Sequence, residues 1–224
     1  MSTSQSAVER NLLCATCGRA GLSDCLVCSG CGQEFLAPIV SAHAEQRQVT
    51  ALFCDLVDSV TLTLRLDPEE LMQVFDLYLA ACDDIVSAHG GRVMQYMGDG
   101  VLAYFGYKQA QDSDAANAVR AAIAIRDALG RLLLPAGINL RSRIGVATGL
   151  VVINERAGRG DGRGNGIVGE TPHMAARLQT VAKPDMVVVA DATRCLAEGA
   201  FTYRALGTFR LSGFPTPVTA FEAV

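Results

Sequence analysis

The chain has 224 residues, half of them apolar and 19% charged, with 19 Lys and Arg against 23 Asp and Glu for a net charge of −4. That length holds one domain of ordinary size plus a small appendage. The mildly acidic balance offers no basic stripe for a phosphate backbone, so no nucleic-acid partner is expected. No apolar run reaches the roughly 18 residues of a membrane span, and the polar start lacks the apolar core of a signal peptide. No membrane association and a cytoplasmic location are the expectation.

Residues 1–46 have few aliphatic runs and no helical period. Of the eight cysteines, five fall between Cys14 and Cys31, whereas Cys54, Cys82 and Cys195 sit singly among apolar neighbours and read as small core hydrophobes. The turns CATCG (14–18) and CSGCG (28–32) have the C-x-x-C-G pattern and resemble the knuckles of a zinc ribbon. Thiolates of Cys14, Cys17, Cys28 and Cys31 would close a tetrahedral structural Zn²⁺ site, with the glycines turning backbone amides toward the sulfurs. A segment with so little core needs the metal for its stability. A disulfide pair is the alternative, disfavoured in a reducing cytoplasm. Cys25 is a fifth thiol able to substitute as a ligand. Four thiolates leave no open position, so the ribbon is structural or partner-binding.

From residue 47 to 224 the pattern becomes alternating strands and helices. Residues 48–55 form an apolar strand ending at Asp55. Asp67, Pro68 and Glu70 open a helix as N-cap, first helical residue and capping-box partner. Leu71, Phe75, Tyr78, Leu79, Cys82, Ile85 and Val86 then recur at three and four, and Gly90 and Gly91 stop the helix. Strands 92–97 and 101–105 flank the turn around Asp99. A second helix covers 114–134, and strands 141–148 and 151–154 follow. The glycine- and arginine-rich run 156–166 reads as a flexible loop, without the Gly-Lys-Ser/Thr ending of a P-loop. Helix 172–181, strand 186–190 and a pair of strands near 201–210 and 218–222 complete the chain. The order βαββαβ is α+β and ferredoxin-like, an antiparallel sheet with helices on one face, preceded by the small N-terminal zinc ribbon. No serine or cysteine sits in a nucleophile turn.

Two acidic loops, FCDLVDS (53–59) and YMGDG (96–100), each place an aspartate at a strand end. Asp55 and Asp99 are what a pair of Mg²⁺ or Mn²⁺ ions needs beside a nucleoside triphosphate. Together with their surroundings, QVTALFCDLV (48–57), YMGDGVLAYFG (96–106), RIGVATG (143–149) and VGETPHMAARL (168–178), they resemble the class III nucleotidyl cyclases. The resemblance covers about residues 47–224. It implies conversion of ATP to 3′,5′-cyclic AMP and pyrophosphate by two metals at a homodimer interface, for intracellular signalling.

By matching positions, the resemblance implies that Asp55, Asp99 and the Leu56 carbonyl hold two Mg²⁺ or Mn²⁺ ions. Amides of the turn containing Val57, Asp58, Ser59 and Val60 would receive the terminal phosphates. Arg143 fits a phosphate contact from the metal-bearing chain. Arg177 fits the arginine that neutralises charge on the α-phosphate, supplied by the other protomer. A pairing of Arg177 with Glu170 or Asp185 is the plainer alternative. The ribbon is similar to one that precedes cyclase domains in large bacterial proteins, which implies ATPase or repeat domains downstream in a longer parent chain.

Several positions depart from the family pattern. Gln95 stands where a lysine often reads the adenine, and an amide suits either purine. Its usual partner position is Gly166, with no side chain. His173 replaces an asparagine that orients the ribose, and Ser212 replaces a lysine that reaches the triphosphate. Asp58 adds a negative charge to the phosphate turn, and Val60 replaces a hydroxyl. The metal-binding half is intact and the substrate-reading half eroded. An adenylate cyclase is the first expectation. The alternatives are a degenerate cyclase domain that binds nucleotide or serves as a dimerisation regulatory module and, third, a guanylate cyclase.

Overall fold

The computed structural model describes residues 12–14, 16–21, 28–32, 44–132, 134, 138–154 and 167–224. Cys25, Gly166 and the 156–166 run lie outside the described residues. The chain divides into two units, Met1–Ala42 and His43–Val224. In the first, β1 (Leu12–Leu13) pairs antiparallel with β2 (Ala20–Gly21). Two tight turns accompany them, closed by the Gly18 amide on the Cys14 carbonyl at 2.8 Å and the Gly32 amide on the Cys28 carbonyl at 2.9 Å. Gly18 and Gly32 both have φ near +70°, a conformation that a side chain would oppose.

The second unit is built on a long hairpin-like pair, β3 (Ala44–Leu56) and β6 (Ser142–Asn154), antiparallel along their whole length. Between them in sequence come α1 (Ser59–Arg65), α2 (Pro68–Ala88), β4 (Arg92–Met97), β5 (Gly100–Phe105) and α3 (Asp114–Leu129). After β6 follow β7 (Ile167–Val168), α4 (Thr171–Val181), β8 (Met186–Ala190), α5 (Asp191–Leu196), β9 (Tyr203–Phe209) and β10 (Val218–Ala223). The sheet order is β4-β5-β3-β6-β8-β10-β9, with β7 on β6 and one parallel pair, β6 with β8. Among the described residues no helix is long and apolar enough to cross a membrane.

The sheet has two covered faces. Leu52, Cys54, Ile144, Val146, Val187 and Val189 pack with residues of α2 and α3 in one core. Ala51, Ala147, Val188 and their neighbours pack with Ala175 and Leu178 of α4 and its C-cap Ala182 in the other. The α+β class stands, but α4 lies opposite to the face that one-sided helices would require. Small residues of β6 account for this. A Cβ on Gly145 would fall 2.1 Å from the Ala175 carbonyl oxygen and 2.5 Å from the Gln179 amide nitrogen. Glycine there lets the α4 backbone rest on the strand itself.

Other differences are local. Cys195, expected in the core with Cys54 and Cys82, is exposed. β6 is one strand where a break near Gly149 is expected from sequence. A Cβ on Gly149 would lie 2.7 Å from Thr171 Oγ1, so this glycine clears room for the start of α4 and does not interrupt pairing. α3 ends at Leu129, ahead of residue 134, with Gly130 as its C-cap. α2 begins as expected, with the Glu70 amide donating to Asp67 at 2.8 Å in a closed capping box.

Candidate functional site

Asp55 lies at the end of β3, directly across from Arg143 of β6, so both side chains project from the α4 face of the sheet. Asp99 sits in the turn between β4 and β5. Its carbonyl accepts a 2.9 Å hydrogen bond from the buried hydroxyl of Tyr78, whose oxygen is also 3.6 Å from Cys54 Sγ. α2 thereby ties down the loop that carries Asp99. Asp55 and Asp99 are close enough to repel. Burial first, and the Asp99 charge second, push the Asp55 carboxyl above its ordinary pKa, against the opposing pull of Arg143 and a hydrogen bond from Gln179. Desolvation and like charge both disfavour the anion.

Such a pair suits a divalent cation. One or two carboxylates commonly hold Mg²⁺ while substrate phosphates supply further oxygens, and a cation would relieve the repulsion that adds to burial in raising Asp55. The Nε of Arg143 is buried without a hydrogen-bond partner among the described residues, leaving a cationic donor beside the same carboxylate. Leu56 is buried at the strand end.

The turn after β3 is partly committed internally. The Val57 amide donates to the Arg141 carbonyl at 2.8 Å and the Thr61 amide to the Asp58 carbonyl at 2.9 Å. Asp58 adopts the left-handed conformation, φ 55°, as N-cap of α1, without a side-chain cap bond. Aspartate tolerates that region better than most residues. The amides of Asp58, Ser59 and Val60 open the helix, and Val60 is 73% exposed.

His173 and Arg177 are exposed, one turn apart on α4, and the Arg177 Nε donates to the Ser212 carbonyl at 3.3 Å. Among the described residues Arg177 makes no ion pair with Glu170 or Asp185, and Asp185 pairs with Arg141 at 2.5 Å. Gln179, 5% exposed, lies two positions on and roughly 200° around the helix, with its Nε2 donating to Asp55 Oδ2 at 2.8 Å. One chain therefore gathers Asp55, Asp99 and Arg143, while α4 turns Arg177 and His173 to the opposite side. Gln95 is exposed on β4, beside an irregularity in its pairing with β5. Gln179 escapes sequence reasoning; its trace is a glutamine among Ala175, Leu178 and Ala182 on the apolar face of α4. A cavity of about 700 Å³ lies elsewhere, along the later half of β6 near Thr148, Leu150, Thr171 and Met174, and touches neither aspartate.

In the first unit, the sulfurs of Cys14, Cys17, Cys28 and Cys31 all lie within 4.8 Å of one another. Cys14 and Cys31 are 3.6 Å apart, Cys17 and Cys28 3.5 Å. Zn–S bonds of 2.3 Å place tetrahedral sulfurs roughly 3.8 Å apart, so the donor set fits that ion. None of the four is in a disulfide. Backbone amides of Cys17 and Thr16 lower the Cys14 thiol to about 6, and those of Gly30 and Cys31 lower Cys28.

The family model described as the adenylate and guanylate cyclase catalytic domain matches residues 41–221. Adenylate cyclase 1 of Rhizobium meliloti is 28% identical over 187 residues, covering 81% of this chain and 28% of that protein. Among solved structures, the adenylyl cyclase CyaB from P. aeruginosa superposes with a TM-score of 0.72 at 24% identity, covering 81% of this chain and 95% of that one. The guanylyl cyclase Cya2 gives 0.72 at 26% identity, covering 81% and 93%. The chain spans 18% and 28% of the length of two curated relatives it matches. With a family match over most of its length and the fold to go with it, this chain belongs to the adenylate and guanylate cyclase catalytic domain family.

Proposed function

We propose that the chain is an adenylate cyclase of class III, converting ATP to 3′,5′-cyclic AMP and pyrophosphate at sites shared by two copies. The observation that carries this reading is the division of α4. Its inner face meets Asp55, while its outer face presents Arg177 and His173 away from the aspartates. A head-to-tail pair of chains would bring the outer face of one to the aspartates of the other, giving two equivalent sites.

In such a site Asp55, Asp99 and the Leu56 carbonyl would hold two Mg²⁺ or Mn²⁺ ions, whose chemistry is to acidify the ribose 3′-hydroxyl and neutralise the departing phosphates. Arg143, with its unpartnered Nε, binds a phosphate oxygen. The amides of Asp58, Ser59 and Val60 take the terminal phosphates; the Val57 amide is already occupied, so its residue contributes shape only. Arg177 leaves the Ser212 carbonyl to meet charge growing on the α-phosphate. The 3′-oxygen bonds to the α-phosphorus as the bond to the β-phosphate oxygen breaks, and His173 donates to the ribose in place of an amide. Gln95 reads the purine. The four thiolates of the first unit hold a structural Zn²⁺. The protein works in the cytoplasm, and its short span against its relatives suits a cyclase module of a longer chain with ATPase or repeat domains.

Cyclic-nucleotide production by purified protein with Mn²⁺ and either ATP or GTP is the test. Asp99→Ala should lower turnover by ~10³-fold or more, a loss of several kcal/mol of metal-borne stabilisation. Mixing Asp55→Ala with Arg177→Ala chains, each inactive alone, should restore about a quarter of wild-type activity through mixed pairs with one intact site. A second reading, a nucleotide-binding regulatory module, is favoured by His173, by Ser212 and by Arg177 resting on the Ser212 carbonyl. Metal-dependent ATP binding without product at high protein concentration would select it.

A further inference from the structure

Resting on the cyclase reading, we propose that Gln179 is a positioning residue that orients the Asp55 carboxylate for its metal ion. A buried side-chain amide is costly unless hydrogen-bonded, and Gln179 is 5% exposed on a helix face otherwise lined by Ala175, Leu178 and Ala182. One of its two N–H donors goes to Asp55 Oδ2 at 2.8 Å. Nothing in the packing of an apolar face requires an amide there; a methionine fills similar space.

The fold makes a specific accommodation for this contact. Gly145 lies two residues along β6 from Arg143, the cross-strand neighbour of Asp55. The place its Cβ would take is 2.5 Å from the Gln179 backbone nitrogen, so the glycine brings this turn of α4 down onto the strand end. Asp55 is otherwise subject to two pulls, repulsion from Asp99 and attraction to Arg143. An amide anchoring Oδ2 fixes the rotation of the carboxylate and leaves its other oxygen free for a cation. Being neutral, it does not compete with the ion's charge as a lysine would. An ionised carboxylate accepts at about four positions, so this bond does not exclude metal at either oxygen.

Hydrogen bonds behind a metal ligand are typically worth 10–100-fold in affinity. The experiment uses the full chain and Mn²⁺ itself, titrated calorimetrically into wild type, Gln179→Met and Asp55→Asn. Gln179→Met should bind Mn²⁺ about 10-fold or more weakly. Its cyclase activity should need correspondingly more Mn²⁺ yet return to within about threefold of wild type at saturation, a split that simple loss of packing would not produce. Gln179→Asn, which keeps the amide but withdraws it by one methylene, should weaken binding likewise and serves if the methionine variant does not fold. Wild-type Mn²⁺ affinity in a folded Gln179 variant, while Asp55→Asn has lost it, would overturn the role of Gln179 alone. Absence of Mn²⁺ binding by wild type, or its persistence in Asp55→Asn, would overturn the metal reading and this inference together.

Discussion

The cysteine cluster and the aspartate pair are both arrays of metal-ligating side chains, and they are built in opposite ways. The four sulfurs come from two short turns of the same fold unit, and neighbouring backbone amides already favour the thiolates. On the proposed zinc reading that array is complete and has no open position. The aspartates come from a strand end and a distant hairpin turn, and burial and mutual repulsion disfavour their charge. Arg177 and His173 of α4 face the other way. On the proposed function, the array that finishes its own ligand set serves structure, whereas the one left electrostatically unfinished would be completed by substrate, metal and a second copy.

The sharpest test of the comparison is removal of zinc. Structural zinc in such small units supplies about 10–16 kcal/mol of apparent folding free energy, so on the proposed zinc reading chelation should erase the β1–β2 pairing and the two cysteine turns. The check is zinc content near one per chain, followed by thiol labelling after chelation. Cys14, Cys17, Cys28 and Cys31 should become reactive together, while the fully buried Cys54 and Cys82 stay protected until the second unit melts. If the four thiols label at equal rates with and without metal, the cluster is not a structural site.

Gly145→Ala should come next in size. The new methyl would press on the Ala175 carbonyl and the Gln179 amide, at 2.1 and 2.5 Å, and both are backbone atoms that cannot rotate aside. Overpacking of this kind costs about 1–3 kcal/mol or more, which lowers Tm by roughly 2–12 °C in a unit of this size. Mn²⁺ affinity should fall with it, because α4 carries Gln179 away from Asp55. A variant that melts like wild type would mean that α4 does not rest on β6.

Much of this was legible in the sequence, and what was not has a physical reason. The capping box of Asp67 and Glu70, the turn at Asp99 and the cysteine knuckles are local patterns, and local patterns state their own geometry. The placement of α4 is different. Gly145, Ala147 and Gly149 encode a trough for a helix, but a small residue in a strand looks the same whether it admits a helix or interrupts a ladder. Gly149 accordingly reads as a break. α5, six residues long, is too short to show a helical period. Gln179 cannot be seen at all until Asp55 is found beneath it, because its partner is 124 positions away.

The smallest effect separates the two arrays most cleanly. A carboxyl whose native pKa is raised keeps its proton to higher pH in the folded state than in the unfolded chain. The metal-free protein is therefore most stable with respect to Asp55 below the ordinary carboxylate range, and loses that advantage as pH rises through it to the raised native value. Above the raised native value the penalty is fully present. Asp55→Asn removes the charge yet keeps an oxygen to accept from Gln179, so the variant should be more stable than wild type. Partial exposure of the site limits the gain to a few degrees, at most about 4 °C in Tm. The measurement is thermal unfolding of zinc-loaded protein freed of Mg²⁺ and Mn²⁺. Saturating Mn²⁺ should reverse the order, because only wild type retains the carboxylate that binds it. No substitution of a ribbon cysteine by serine should stabilise in either condition, since those thiolates already have their partners. An asparagine variant that melts below wild type without metal would show the aspartate pair satisfied within one chain, and the contrast between the two arrays would fail.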